Sequence, residues 1–80
     1  MNVTVYSRPG CHLCDEALAG LAVLTADRVD VDVEVVDIDR DDELLKRYLE
    51  RIPVVAIGDE VLSELVFDRE AVATRLGQIP

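Results

Sequence analysis

The chain has little aromatic content. Two tyrosines, one phenylalanine and no tryptophan make up 4% of its 80 residues. Its core must therefore be built from Val, Leu, Ile and Ala. Positive charge is also short: eight Lys and Arg stand against seventeen Asp and Glu, a formal net charge of -9. Such a surface repels phosphate backbones and anionic lipid headgroups, which excludes nucleic acid and membrane as expected partners. No apolar run approaches the length needed to cross a bilayer. Met1–Tyr6 has neither the charged start nor the long apolar stretch of a secretory leader, so the expected compartment is the cytoplasm. There are two cysteines and one histidine. A reducing compartment disfavours a permanent staple between the cysteines and turns attention to a redox pair or a metal site.

What the sequence does have is apolar composition, half of all residues, in a length that suits one domain spanning 1–80. Asn2–Tyr6 (NVTVY) alternates with strand period, Val3 and Val5 sharing a face. Arg8-Pro9-Gly10 breaks it. From Cys11 to about Ala26, Cys14, Ala17, Leu18, Leu21 and Leu24 fall on one helical stripe. Val29–Asp39 alternates valine with acid, the pattern of a half-exposed strand rather than of a cation-binding loop. Asp39–Leu49 reads as a second helix, with acids at its start and Lys46 and Arg47 near its end. Ile52 with Val54–Ile57, and Val61–Leu65, read as two strands joined by Gly58-Asp59, a type II′ hairpin turn. Asp68 can cap a last helix over Arg69–Leu76, which Gly77 ends. The first two strands flank a helix and should be parallel, joined by a right-handed crossover. The last two should be antiparallel.

The chemistry concentrates in Ser7–Ala17, SRPGCHLCDEA. Residues three apart on a helix bring their Cβ atoms to about 5–6 Å, so Cys11 and Cys14 can form and break a disulfide with little backbone movement. The two sulfurs differ. Cys11 stands at the helix start, where free N–H groups and the positive dipole end stabilise a thiolate. Cys14 lies one turn in and opens the apolar stripe. That asymmetry provides an attacking thiol and a resolving thiol. Arg8 and His12 are the neighbouring groups that favour the thiolate or tune the pair, whereas Asp15 and Glu16 oppose it. Structural zinc wants four ligands. Two Cys, one His and Asp15 within one helical turn cannot surround an ion, so a metal or iron–sulfur carrier reading, through Cys11, needs a second subunit or an external thiol.

VYSRPGCHLCDEA, followed by RIPVV, a hairpin and a terminal helix, resembles a small glutaredoxin-like protein of the thioredoxin fold. The likeness spans nearly the whole chain in order and length. It implies an α/β, β-α-β-α-β-β-α architecture: a four-stranded mixed sheet with helices on both faces. It implies a thiol–disulfide oxidoreductase in which Cys11 attacks, Cys14 resolves and a cis Pro53 positions the substrate strand, with the backbone of Ile52 open to pair with it. Arg8 and His12 complete the expected substrate-binding set. No resident cofactor or metal is implied. The expected partners are disulfide-containing proteins or small thiols, and the expected electron donor is glutathione or a thioredoxin-type reductase. The other reading is a binding module of the same fold without redox turnover. Two departures weaken the glutathione site. The dipeptide between the cysteines is His12-Leu13 where dithiol glutaredoxins typically have Pro-Tyr. Ser63–Asp68 (SELVFD) stands where typical members have a Gly-Gly turn.

Overall fold

A computed structural model describes residues 1–77. The order is β1 (Asn2–Ser7), α1 (His12–Thr25), β2 (Asp32–Asp37), a 3-10 turn (Ile38–Arg40), α2 (Asp42–Tyr48), β3 (Val54–Ile57), β4 (Glu60–Glu64) and α3 (Arg69–Gly77). The strands form one mixed sheet in the order β2-β1-β3-β4. β1 and β2 are parallel, with Val3 opposite Val33 and Ser7 opposite Asp37. β1 and β3 are antiparallel, with Tyr6 opposite Val54. β3 and β4 form the expected hairpin, with Gly58 at φ 58°, the positive value that its place in the turn demands. Leu62 is an extra residue in β4, since Val55 faces Ser63 and Ala56 faces Val61.

The sheet separates two apolar clusters. On one face Val3, Val5 and Val55 pack with Leu21 of α1 and with Val72 and Leu76 of α3. On the other, Val54 packs with Ile38 and with Tyr48 of α2. Tyr6 stacks on Tyr48 there, ring centroids 4.6 Å apart, and Arg51 lies over the Tyr48 ring at 5.3 Å. Burial, together with the neighbouring Tyr48 phenol, pushes the Tyr6 hydroxyl above its usual pKa. Among the described residues no helix is long and apolar enough to cross a membrane.

The boundaries of β2 and α2 differ from the sequence reading, for local reasons. β2 begins at Asp32 rather than Val29, because residues 28–31 are held in a turn. The Arg28 guanidinium grips Asp30 through two bonds of 2.8 and 2.9 Å, and also donates to the Leu76 carbonyl at 2.9 Å. β2 ends at Asp37, whose carboxylate accepts from the Asp39 amide (2.9 Å) and starts the 3-10 turn. α2 begins only at Asp42, because Asp41 caps it by accepting from the Glu43 and Leu44 amides. The valines of this alternating stretch are less buried than their alternation suggests. Val31, just ahead of β2, is buried, but Val33 and Val35 are 41% and 52% exposed, because β2 is an edge strand beyond the helices that cover Val3 and Val5.

The Arg28 clamp has a pH signature. Its hydrogen bonds to Asp30 lower that carboxyl to about 2, below its ordinary 3.8. A folded-state pKa below the unfolded one adds stability above the unfolded value, and that stability is lost as pH falls from about 3.8 towards 2. A carboxyl-carbon NMR titration should place the Asp30 midpoint near 2, and Arg28→Gln should return it to the ordinary range. An unchanged midpoint in that variant would show that the clamp is not the cause.

Candidate active site

The site forms at one end of the sheet because of the strand directions. β1 ends at Ser7 and leads through Arg8-Pro9-Gly10 into Cys11. The antiparallel β3 begins at that same end, with Val54 opposite Tyr6, so Pro53 lies where the chain leaves β1. Gly10 makes the approach possible by taking φ 76°, a left-handed value that side chains disfavour. Cys11 then adopts an extended conformation (φ -88°, ψ 112°) as the residue capping α1.

Cys11 and Cys14 are joined as a disulfide, their Cα atoms 5.2 Å apart. The Cys14 amide donates to Cys11 Sγ at 3.1 Å. The sulfur thus takes the place of the side-chain oxygen that normally satisfies a helix start, and it sits at the positive end of the α1 dipole. When the disulfide opens, the same amide and dipole favour a thiolate on Cys11. Cys11 is half-buried, whereas Cys14 is only 2% exposed and faces the core beside Ala17. The accessible sulfur is the one with the anion-stabilising surroundings.

The remaining expected residues fall out as follows. Pro53 is fully buried and its bond to Ile52 is cis. His12 is exposed in the first turn of α1, between the cysteines. The Ile52 backbone requires a correction: its N–H is not open, but donates to the Tyr48 carbonyl at 3.0 Å as the chain leaves α2. An extended substrate pairing at this position has to use the Ile52 carbonyl. Arg8 stands in the entry loop as expected, but it is not a bare cation, since its Nε lies 3.0 Å from Asp39 Oδ1.

Ser63 and Leu65 are features that sequence reasoning missed. The buried Ser63 hydroxyl accepts from the Asp68 amide at 2.8 Å and lies 3.4 Å from the Val66 carbonyl, to which it donates. Leu65 has φ 63°, and its amide donates to the Arg51 carbonyl at 2.9 Å. Together they shape the β4–α3 loop where a Gly-Gly turn was absent, with a leucine in a conformation that normally favours glycine. Asp68 caps α3 by accepting from the Ala71 amide at 3.0 Å. The left-handed residue carries no signal in the sequence, because leucine is an ordinary strand and core residue.

Comparison with known proteins agrees with this geometry. Residues 2–77 match the model of the Glutaredoxin-like domain (DUF836). A protein of Nitrosomonas europaea, solved by NMR, is similar over 92% of this chain and 88% of its own, at 33% identity and a TM-score of 0.78. A Xanthomonas protein (X. campestris), solved by X-ray, is similar over 98% and 99% of the two chains, at 32% identity and a TM-score of 0.76. The glutaredoxin-like NrdH-redoxin of Escherichia coli aligns over the full length of both, at 26% identity and a TM-score of 0.65. A search of curated proteins finds no match. The order of elements, the mixed sheet and the placement of Cys11-x-x-Cys14 at the head of α1 are those of a thioredoxin-like fold, and the chain belongs to the glutaredoxin-like domain family.

Proposed function

We propose that this protein is a thiol–disulfide oxidoreductase working through Cys11 and Cys14. The observation that carries the reading is the unequal pair at the head of α1: an accessible Cys11 sulfur accepting the Cys14 amide, beside a buried Cys14. In the reduced protein the Cys11 thiolate attacks one sulfur of a substrate disulfide. The substrate S–S bond breaks, one substrate thiolate leaves, and a mixed disulfide remains on Cys11. Cys14 gives up its proton and attacks Cys11 Sγ, releasing the second thiolate. Two electrons have passed to the substrate, and the protein holds the Cys11–Cys14 disulfide until an external dithiol reduces it.

The reading takes the protein as cytoplasmic, an electron carrier between a reductant and disulfide-bearing proteins or small thiols. For the reductant we favour a thioredoxin-type reductase over glutathione. Three observations support that choice. Arg8 is already paired with Asp39. The β4–α3 loop has Leu65 and Val66 where a ligand would need close access to backbone amides. NrdH-redoxin, a glutaredoxin-like relative in structure, has a thioredoxin-like activity profile. The test couples reduction of a neutral disulfide to NADPH through either thioredoxin reductase or glutathione with glutathione reductase. The reductase-coupled rate should exceed the glutathione-coupled rate about tenfold or more, on the scale of one lost charged contact. Comparable rates would make glutathione the reductant.

A further inference from the structure

The oxidoreductase reading leaves open which disulfides reach Cys11, and the charges beside the entry loop bear on that question. Two arginines stand at the cysteine end of the sheet, each paired with a carboxylate. Arg8 is in the loop itself. On the β2 side, Asp37 accepts the Asp39 amide at 2.9 Å and so fixes the 3-10 turn, and Asp39 meets Arg8 Nε at 3.0 Å. Arg51 precedes Pro53. On the β4 side, Glu64 ends its strand opposite Val54, which is itself opposite Tyr6, and Glu64 Oε2 accepts from Arg51 Nε at 2.7 Å. Adjacent strands lie about 4.8 Å apart, so Glu64 is about 10 Å from β1, close to the screening length of physiological salt.

Both pairs are on the surface, each side chain 38–43% exposed. Surface ion pairs contribute little to stability, so their effect on the molecule is electrostatic rather than architectural. Without its carboxylate partner, each arginine would offer a fork of donors suited to a carboxylate-bearing thiol. With it, each arginine is neutralised, and the exposed Asp15 and Glu16 on the first turns of α1 add negative charge on the helix that carries the cysteines. The resulting field attracts cations and repels anions.

We infer that Asp39 and Glu64 are specificity determinants: by holding Arg8 and Arg51 in ion pairs, they make the site prefer cationic disulfides, such as those in basic segments of a partner protein, over anionic ones such as glutathione disulfide. This rests on the oxidoreductase reading and names its substrate class. Removing one such carboxylate changes the charge met by an approaching unit charge, an effect of about twofold at about 10 Å in water, and it acts in opposite directions on anions and cations.

The test compares second-order rate constants for the reduced protein with three small disulfides: cystamine (cationic), hydroxyethyl disulfide (neutral) and glutathione disulfide (anionic). The wild type should favour cystamine over glutathione disulfide. In Asp39→Asn with Glu64→Gln, the ratio of the anionic to the cationic rate should rise about tenfold, and the rise should largely vanish near 1 M salt, where screening acts within about 3 Å. Adding Arg8→Gln and Arg51→Gln to that double variant should reverse most of the rise. The charge-retaining Asp39→Glu should leave the ratio where it was, which separates charge from local packing. A ratio unmoved in the double variant, with hydroxyethyl disulfide still reduced by the wild type, overturns the specificity inference and leaves the oxidoreductase reading standing. A wild-type protein inert towards all three disulfides overturns both.

Discussion

Replacing Cys11 with serine should reduce disulfide turnover to background, a loss of roughly a thousandfold or more, the scale on which removing a nucleophile acts. Serine keeps the helix cap, because its hydroxyl can accept from the Cys14 amide as the sulfur does at 3.1 Å. The loss is then chemical rather than structural. Replacing Cys14 instead should preserve attack and stop release. The Cys11 sulfur remains half-buried at the head of α1, so it still forms the mixed disulfide, but the second sulfur that should displace the substrate is gone. Cys14→Ser should therefore accumulate a stoichiometric covalent adduct when treated with a disulfide, visible as a mass increase that dithiothreitol reverses. Adduct formation on Cys14 in Cys11→Ser at the wild-type rate would reverse the assigned roles. Used in cells, the Cys14→Ser trap also identifies the partner, since the disulfide donor stays attached to Cys11.

The placement of the cysteines was legible in the sequence because it depends on local geometry. A strand, a Pro-Gly break and a helical stripe are enough to place Cys11 at a helix start and Cys14 one turn inside. The parallel pairing of the first two strands came from the helix between them and the handedness of the crossover, and the hairpin from two strand patterns joined by Gly58-Asp59. What the sequence did not reveal was long-range. The alternation of Val31, Val33 and Val35 marks a strand, but nothing in it says that the strand lies on the sheet edge, where two of the three valines stay exposed. Arg8 reads as a cation available to a ligand until the fold brings Asp39 to it from 31 positions away. Ile52 reads as free backbone until its amide is found on Tyr48. Acid-rich boundaries were blurred for a related reason: Asp37, Asp39, Asp41 and Asp42 are each plausible caps, and only hydrogen bonding selects Asp37 for the 3-10 turn and Asp41 for α2.

Gly20 is another position whose reason is non-local, and it should reject even the smallest side chain. In an exposed helix interior, Gly→Ala stabilises by about 1 kcal/mol, because alanine restricts the unfolded chain and suits the helix. Here a Cβ on residue 20 would stand 2.7 and 2.9 Å from Cε2 and Cδ2 of the Phe67 ring. Phe67 packs against the cluster of Val3, Val5, Leu21 and Val72 that joins α1 and α3 to the sheet. The ring is only partly buried, but its inner side rests on that cluster, so shifting it to admit a methyl disturbs the packing, and overpacking of this kind costs about 1–3 kcal/mol. The clash outweighs the helix gain, so Gly20→Ala should lower stability by about 1 kcal/mol instead of raising it. Gly20→Val, with two further methyl groups and a poorer helix propensity, should lose about 3 kcal/mol. For a chain of this size that corresponds to a fall of very roughly 12–24 °C in melting temperature. The attribution to Phe67 is checked by a double-mutant cycle. Phe67→Leu alone removes apolar contact and destabilises, but combined with Gly20→Ala it opens the space the new methyl needs, so the two losses should sum to more than the double variant shows. Thermal denaturation of the four proteins supplies the cycle. Strict additivity, or a Gly20→Ala protein that melts above the wild type, would show that the ring yields and that the contact does not fix residue 20 as glycine.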